Sequence, residues 1–319
     1  YNYDEGFQGM AVEMDDSTLA KARKLPNVDY IFPDGIAHGA AIQFNSTWGL
    51  SRISHRNRQP GNEAPEYLYD KNAGEGIVIY VIDSGINTNH TDFGGRATWG
   101  ANFVMGSPDI DEHGHGTHCA GTAASNTYGV AKKAKLVAVK VLGYNNRGWW
   151  SDIIAGVQWV VKNANPANSV ISFSVGGDTY PPMDDAINAA YEAGFFVSVA
   201  AMNDYKDACE ISPARAKHSF TVGATDINDQ KADFSNWGKC VHISGPGVDV
   251  LSTGIASETA SRFMSGTSMA TPHVAGIAAT FLSQGVKCTD LKTKILNTAT
   301  KNVIKGLFPD TPNLLAYNG

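Results

Sequence analysis

Four short apolar runs constrain the fold more than any other feature of the chain. They are Ile77-Val78-Ile79-Tyr80-Val81-Ile82, Leu136-Val137-Ala138-Val139-Lys140-Val141, Val170-Ile171-Ser172-Phe173-Ser174-Val175 and Phe195-Phe196-Val197-Ser198-Val199-Ala200. Each is too short for a helix and largely apolar at consecutive positions, the pattern of a strand buried on both faces of a parallel sheet. Helical stretches are read over 151–164, 183–193 and 268–284. The β-α-β-α-β succession predicts an α/β fold, a doubly wound and mostly parallel sheet flanked by helices. Such sheets bind ligands at the carboxyl ends of their strands, so the residues that follow each run are the place to look for chemistry.

The composition is that of a globular chain of 319 residues, 43% hydrophobic and 18% charged, long enough for one large core or two modest ones. Lys+Arg is 25 against Asp+Glu 31, a formal charge of −6. That argues against a nucleic-acid partner, which needs a basic face. No stretch approaches the roughly 20 apolar residues of a membrane span. The chain opens at Tyr1 without a signal-like segment, which suggests a processed product. Two sequons, at Asn45 and Asn89, fit a secretory route, with either secretion or a vacuole as destination. The cysteines, Cys119, Cys209, Cys240 and Cys288, allow one or two bridges but no disulfide-built scaffold.

Residues 1 to about 40 differ from the rest. A strand is read over 9–14, a helix from Asp16 to about Leu25 stopped by Pro26, and a second strand over 28–32, with 33–47 as linker. This α+β piece is too small to fold alone.

At the strand ends, Asp83-Ser84-Gly85 follows the first run. A carboxylate there is either a helix N-cap or a paired, functional group. Asp111-Glu112-His113-Gly114-His115-Gly116-Thr117-His118-Cys119 packs three histidines into six positions before a helix read over 115–125. The His-x-His-x-x-His spacing resembles a metal-binding run of the metallo-β-lactamase fold, except that Thr117 stands where that run has Asp. The alternative is one catalytic histidine, His115, set between glycines that allow close approach. Ser268 lies at the start of an apolar helix, whose free N–H groups favour negative charge, and small residues flank it. Asp83, His115 and Ser268 stand in one of the convergent chain orders of the nucleophilic triad. Asn203, just beyond the fourth run, is placed to donate to an oxyanion.

Val81-Ile82-Asp83-Ser84-Gly85, Gly114-His115-Gly116-Thr117-His118 and Gly266-Thr267-Ser268-Met269-Ala270-Thr271-Pro272-His273 resemble the three catalytic signatures of the subtilisin family of serine proteases. Within it, Cys119 after the histidine motif is similar to the proteinase K branch. Trp48 to Arg56, Ser235 to Cys240 and Pro312 to Gly319 are similar to its cerevisin group. The resemblance spans about 41–319. It implies an endopeptidase with no cofactor, with Asp83, His115 and Ser268 as triad and Asn203 as oxyanion donor. It further implies that 1–40 is the second half of an inhibitory propeptide that also aids folding, with the mature start near Ala41. Polypeptide substrates would pair their backbone with 147–150 and 174–176, so that Gly148, Trp149, Trp150, Ser174, Val175 and Gly176 line the substrate. A Cys209–Cys240 bridge and a free Cys119 thiol follow from the same resemblance, and a monomer is expected.

Three departures from the family bear on function. Met202 stands where a glycine usually precedes the oxyanion asparagine. It adds strain if φ there is positive and otherwise narrows the pocket for the residue before the cleaved bond. His242 aligns with a calcium-binding carboxylate, and imidazole suits that hard ion poorly, so no metal is expected there. His113 replaces a usual asparagine and is read as a solvated loop residue. The competing reading is a catalytically silent or propeptide-locked pseudoprotease.

Overall fold

The computed structural model describes residues 1–34, 40–60 and 64–319. The chain divides into two compact units, Tyr1–Gly39 and Ala40–Gly319.

In the first unit, β1 (Asn2–Tyr3) pairs antiparallel with β2 (Gly9–Met10). Helix α1 (Asp16–Ala22) follows, its N-cap Asp15 accepting from the Thr18 N–H at 2.7 Å. The expected strand over 9–14 is thus confined to Gly9–Met10, and the helix ends at Ala22 rather than Leu25. Residues 28–32 are not a strand. Val28, Tyr30 and Phe32 have the right residue types, but a strand exists only through a partner ladder.

The second unit opens with β3 (Ala40–Phe44), α2 (Trp48–Ser54) and β4 (Glu66–Asp70). β3 and β4 pair antiparallel from Ala40↔Asp70 to Phe44↔Glu66. This corrects the linker reading of 33–47: residues 40–44 are strand, and 35–39 lie outside the described residues. Next come β5 (Val78–Asp83), β6 (Ala97–Asn102), α3 (His115–Ala124), β7 (Lys135–Lys140), α4 (Trp150–Asn163), β8 (Ser169–Phe173), β9 (Gly177–Asp178), α5 (Pro181–Glu192) and β10 (Phe196–Ala200). The chain continues through β11 (Ile211–Ser212), β12 (Phe220–Thr225), β13 (Ile243–Pro246), β14 (Val250–Thr253), β15 (Ser261–Met264), α6 (Thr267–Ser283), α7 (Leu291–Thr298), β16 (Thr300–Lys301) and β17 (Leu314–Leu315).

The central sheet has nine strands in the order β16-β17-β13-β12-β10-β8-β5-β7-β6, all parallel neighbours except the β16–β17 pair. The apolar runs became its middle, as expected. Alternation along them feeds two cores. Ile79 and Val81 join the core with Cys119, Ala120, Met269 and Val274 of α3 and α6. Tyr80 and Ile82 join the other, with Ile153, Val157 and Ile187 of α4 and α5. Because strand side chains alternate, Asp83 shares the parity of Ile79 and Val81 and faces α3 and α6. Lys140 likewise shares the parity of Leu136 and Ala138. No helix among the described residues is long and apolar enough to cross a membrane.

Candidate active site

The parity of β5 delivers the Asp83 carboxylate to the N-terminal end of α3. Its Oδ1 accepts from the Ser84 N–H at 2.7 Å and from His115 Nδ1 at 2.7 Å. Both side chains are buried, so the His115 tautomer is set with the proton on Nδ1 and Nε2 left free. Close approach here requires a glycine: a Cβ on Gly116 would stand 2.2 Å from the Gly85 carbonyl oxygen. Gly114, the N-cap, has φ +92°.

Asp111 fixes the geometry from behind. Its Oδ1 accepts from Ser84 Oγ at 2.8 Å and Gly114 N at 2.8 Å, and its Oδ2 from Thr117 N and Oγ1. The buried Lys140 ammonium donates to the carbonyls of Ser84 (2.8 Å) and Leu142 (2.9 Å) and stands 3.5 Å from Glu112. Neither residue was assigned a role from sequence. A lysine inside a strand buried on both faces was the signal for Lys140, because a buried charge must be paired. For Asp111 it was a carboxylate three residues ahead of a glycine N-cap.

Burial disfavours charge on His115, but the neighbouring Asp83 charge, its hydrogen bond and Asp111 outweigh this, and the pKa is raised above 6.5. A base must be neutral to accept a proton. kcat/KM is therefore expected to rise about tenfold per pH unit on an acid limb whose midpoint lies above 6.5, and Asp83→Asn should move that midpoint down. Stability runs the other way. The protonated pair stabilises the fold fully below about 6.5, and this contribution is lost as pH rises through the higher folded value. A pH–rate profile paired with melting curves checks both directions.

Ser268 is brought to the same cavity of about 260 Å³ as His115, Ser174, Val175, Gly176, Met202 and Asn203. Its position depends on a local irregularity of α6. Pro272 has no N–H to give the Ser268 carbonyl. That carbonyl instead accepts from Cys119 Sγ at 3.2 Å and Ser174 Oγ at 3.1 Å. The buried free thiol of Cys119 is thus occupied, and its pKa is raised by burial. The Ser268 hydroxyl donates to the Ser174 carbonyl at 3.4 Å, and among the described residues it makes no hydrogen bond to His115. Such bonds are commonly long or unformed until substrate binds.

Asn203 follows β10. Its Oδ1 accepts from Thr267 N (2.8 Å) and Thr267 Oγ1 (3.1 Å), and Nδ2 is free among the described residues. A methyl group built on Gly266 would lie 3.6 Å from both Asn203 Nδ2 and Ser268 N. Two donors therefore converge on one small space beside the serine. Thr267 is the residue that orients the asparagine.

The three histidines do not converge on a metal. His118 Nε2 is bonded to the Val250 and Arg262 carbonyls, and its pKa is pushed down to about 4 by burial. The His113 ring centroid stands 6.3 Å from that of His115, and His113 Nδ1 is buried without a partner among the described residues rather than solvated as expected. Gly148, Trp149 and Trp150 are not among the cavity's lining residues. Trp149 is 79% exposed, while Trp150 stacks on Tyr180 at 5.3 Å and covers Gly177.

Residues 74–312 match the subtilase family and residues 1–39 match peptidase inhibitor I9. The chain belongs to the subtilase family. It is accordingly a serine endopeptidase of the subtilisin type. It is 43% identical to the subtilisin-like serine protease Rho m 2.0101 of Rhodotorula mucilaginosa, over 97% of this chain and 96% of that protein. It is 42% identical to cerevisin of Saccharomyces cerevisiae, over the whole of this chain and 54% of that protein. The crystal structure of a cold-adapted subtilisin-like serine proteinase matches with a TM-score of 0.81 and 40% identity, covering 86% of this chain and 99% of the other.

A subtilase of the proteinase K branch would carry calcium near His242, and the residues present do not fit it. His242 Nδ1 accepts from Thr221 N at 3.1 Å, its Nε2 faces Lys292 Nζ at 3.0 Å, and its pKa is pushed down to about 4 by burial and by Lys292. The Lys292 ammonium beside the imidazole repels a cation approaching His242. A chelator is expected to leave Tm unchanged within about 1 °C; a fall of many degrees would contradict this. Cys209 and Cys240 form the bridge that the resemblance implies, closing a separation of 31 residues. Cys288 has a free thiol.

Proposed function

We propose that Ser268 is the nucleophile, His115 the general base and then acid, Asp83 the residue that orients and stabilises the imidazolium, and Asn203 with the Ser268 N–H the oxyanion donors. The observation that carries this reading is the 2.7 Å Asp83–His115 contact opening on the cavity that holds Ser268 and the free Asn203 Nδ2. In the first step Ser268 Oγ attacks the peptide carbonyl as its proton passes to His115 Nε2, and the carbonyl oxygen becomes an oxyanion. His115 returns that proton to the leaving amine, giving an acyl-enzyme. Water then repeats the sequence, releasing the acid and restoring the hydroxyl. Labelling of Ser268 by a fluorophosphonate, lost in Ser268→Ala, tests the assignment. Ser268, His115 and Asn203 line one cavity and Asp83 holds His115 from behind, which disfavours the silent reading. That reading predicts no turnover even without residues 1–40.

Residues 1–40 act as inhibitor and folding aid of 41–319, in a zymogen that cuts itself near Ala41; the inhibitor-family match over 1–39 supports this. The enzyme acts on polypeptides as a monomer and is secreted, or alternatively vacuolar. The Cys209–Cys240 bridge and exposed Asn45 and Asn89 fit a secretory route. The expected pairing segment 147–150 loses Trp150, which opens α4; substrate backbone lies between 147–149 and 174–176, with Trp150 and Tyr180 closing the far end.

Met202 carries the strain expected at a positive φ, and we propose that its side chain narrows the pocket for the residue before the cleaved bond as well. Its φ is +72°, a conformation costing about 1–2 kcal/mol for a side-chain-bearing residue. Its Cγ and Sδ occupy the space over Gly176, 2.9 Å from where a Cβ would stand. Met202→Gly is expected to raise kcat/KM for Phe relative to Ala at that position by about tenfold. An unchanged ratio would remove the idea.

A further inference from the structure

Asn146 lines the same cavity as His115 and Leu142; it follows β7, on one side of β5, whereas Gly176 and Met202 follow β8 and β10 on the other side. Its Oδ1 is buried and has no hydrogen-bond partner among the described residues. Buried acceptors are rarely left unmet, and neither the triad nor the oxyanion donors use this one. The loop that carries it is braced. Asn146 N donates to the Gly143 carbonyl and Gly143 N to the Arg147 carbonyl, each at 2.9 Å, and Lys140 holds the Leu142 carbonyl. Asn146 itself adopts φ +58°, which asparagine tolerates better than most residues. The backbone is therefore held, while the amide oxygen has no bond to break when it turns.

Resting on the acyl-transfer reading above, we propose that Asn146 selects the substrate residue two before the cleaved bond, favouring a side chain that donates a hydrogen bond. A peptide extended between 147–149 and 174–176 alternates its side chains between two faces. If the residue before the cleaved bond points toward Met202 and Gly176, its predecessor points to the opposite wall, formed by His115, Leu142 and Asn146. An apolar side chain there leaves Oδ1 unmet, whereas a hydroxyl satisfies it. Threonine and valine have nearly the same shape, so comparing them isolates the hydrogen bond.

The test uses the protein after self-cleavage is complete and two p-nitroanilides, succinyl-Ala-Ala-Thr-Ala and succinyl-Ala-Ala-Val-Ala, whose alanine before the cleaved bond fits a narrowed pocket. The wild type should prefer threonine. Asn146→Gly, which suits the positive φ, should lower the Thr/Val ratio of kcat/KM by about tenfold, and Asn146→Asp, which keeps an acceptor, should retain the preference. A ratio taken within one protein is independent of how much of it is folded. A wild type that prefers valine, or a ratio that Asn146→Gly leaves within twofold, overturns the inference while leaving the triad intact. Absence of turnover with both peptides contradicts the acyl-transfer reading, and the inference with it.

Discussion

Replacing Ser268 with alanine is expected to lower kcat by about 10⁶-fold, the scale of loss when the nucleophile of such a unit is removed. The fold should persist. Ser268 is buried at the first turn of α6, but among the described residues its hydroxyl makes a single 3.4 Å bond, to the Ser174 carbonyl. Its own carbonyl, which Cys119 and Ser174 satisfy, is backbone and survives the substitution. The serine therefore contributes little to stability and nearly everything to the covalent step. A melting temperature within a few degrees of wild type, together with the lost rate, would separate those roles. A residual rate only tenfold down would show that another group performs the attack.

Asn203→Ala is expected to cost about 10²–10³-fold in kcat with KM little changed, because its donor acts where charge develops rather than on the ground-state peptide. The Ser268 N–H remains as the second donor, which is why the loss is smaller than for the nucleophile. Removing the asparagine also strips the acceptor from Thr267 N and Oγ1. Asn203→Asp separates the two effects. It keeps an acceptor for Thr267 but offers no donor and adds negative charge, so it should be at least as inactive. A variant that loses affinity instead of turnover would place Asn203 in ground-state binding.

Much of this site was legible because strand parity and strand ends are sequence properties. Ile79, Val81 and Asp83 share one face of β5, so a carboxylate at the end of an apolar run had to meet whatever covers that face. What was not legible depended on partners distant in sequence. Ala40–Phe44 is strand because Glu66–Asp70 lies beside it, and 28–32 is not because residue type alone supplies no ladder. Lys140 stood inside an apolar run, yet its meaning depends on the Ser84 and Leu142 carbonyls that it bridges. His113, His115 and His118 are close in the chain, but the start of a helix points them to different neighbours. Pro272 was visible in the motif, and its consequence, a serine carbonyl handed to Cys119 and Ser174, was not.

Peptide mass spectrometry of the full chain after incubation with a fluorophosphonate tests the account most directly, with Ser268→Ala alongside. The account predicts a single adduct on Ser268 and release of roughly the first 40 residues in the wild type, with neither in the variant. An unlabelled, uncut wild-type chain, or an adduct on another residue, would contradict it.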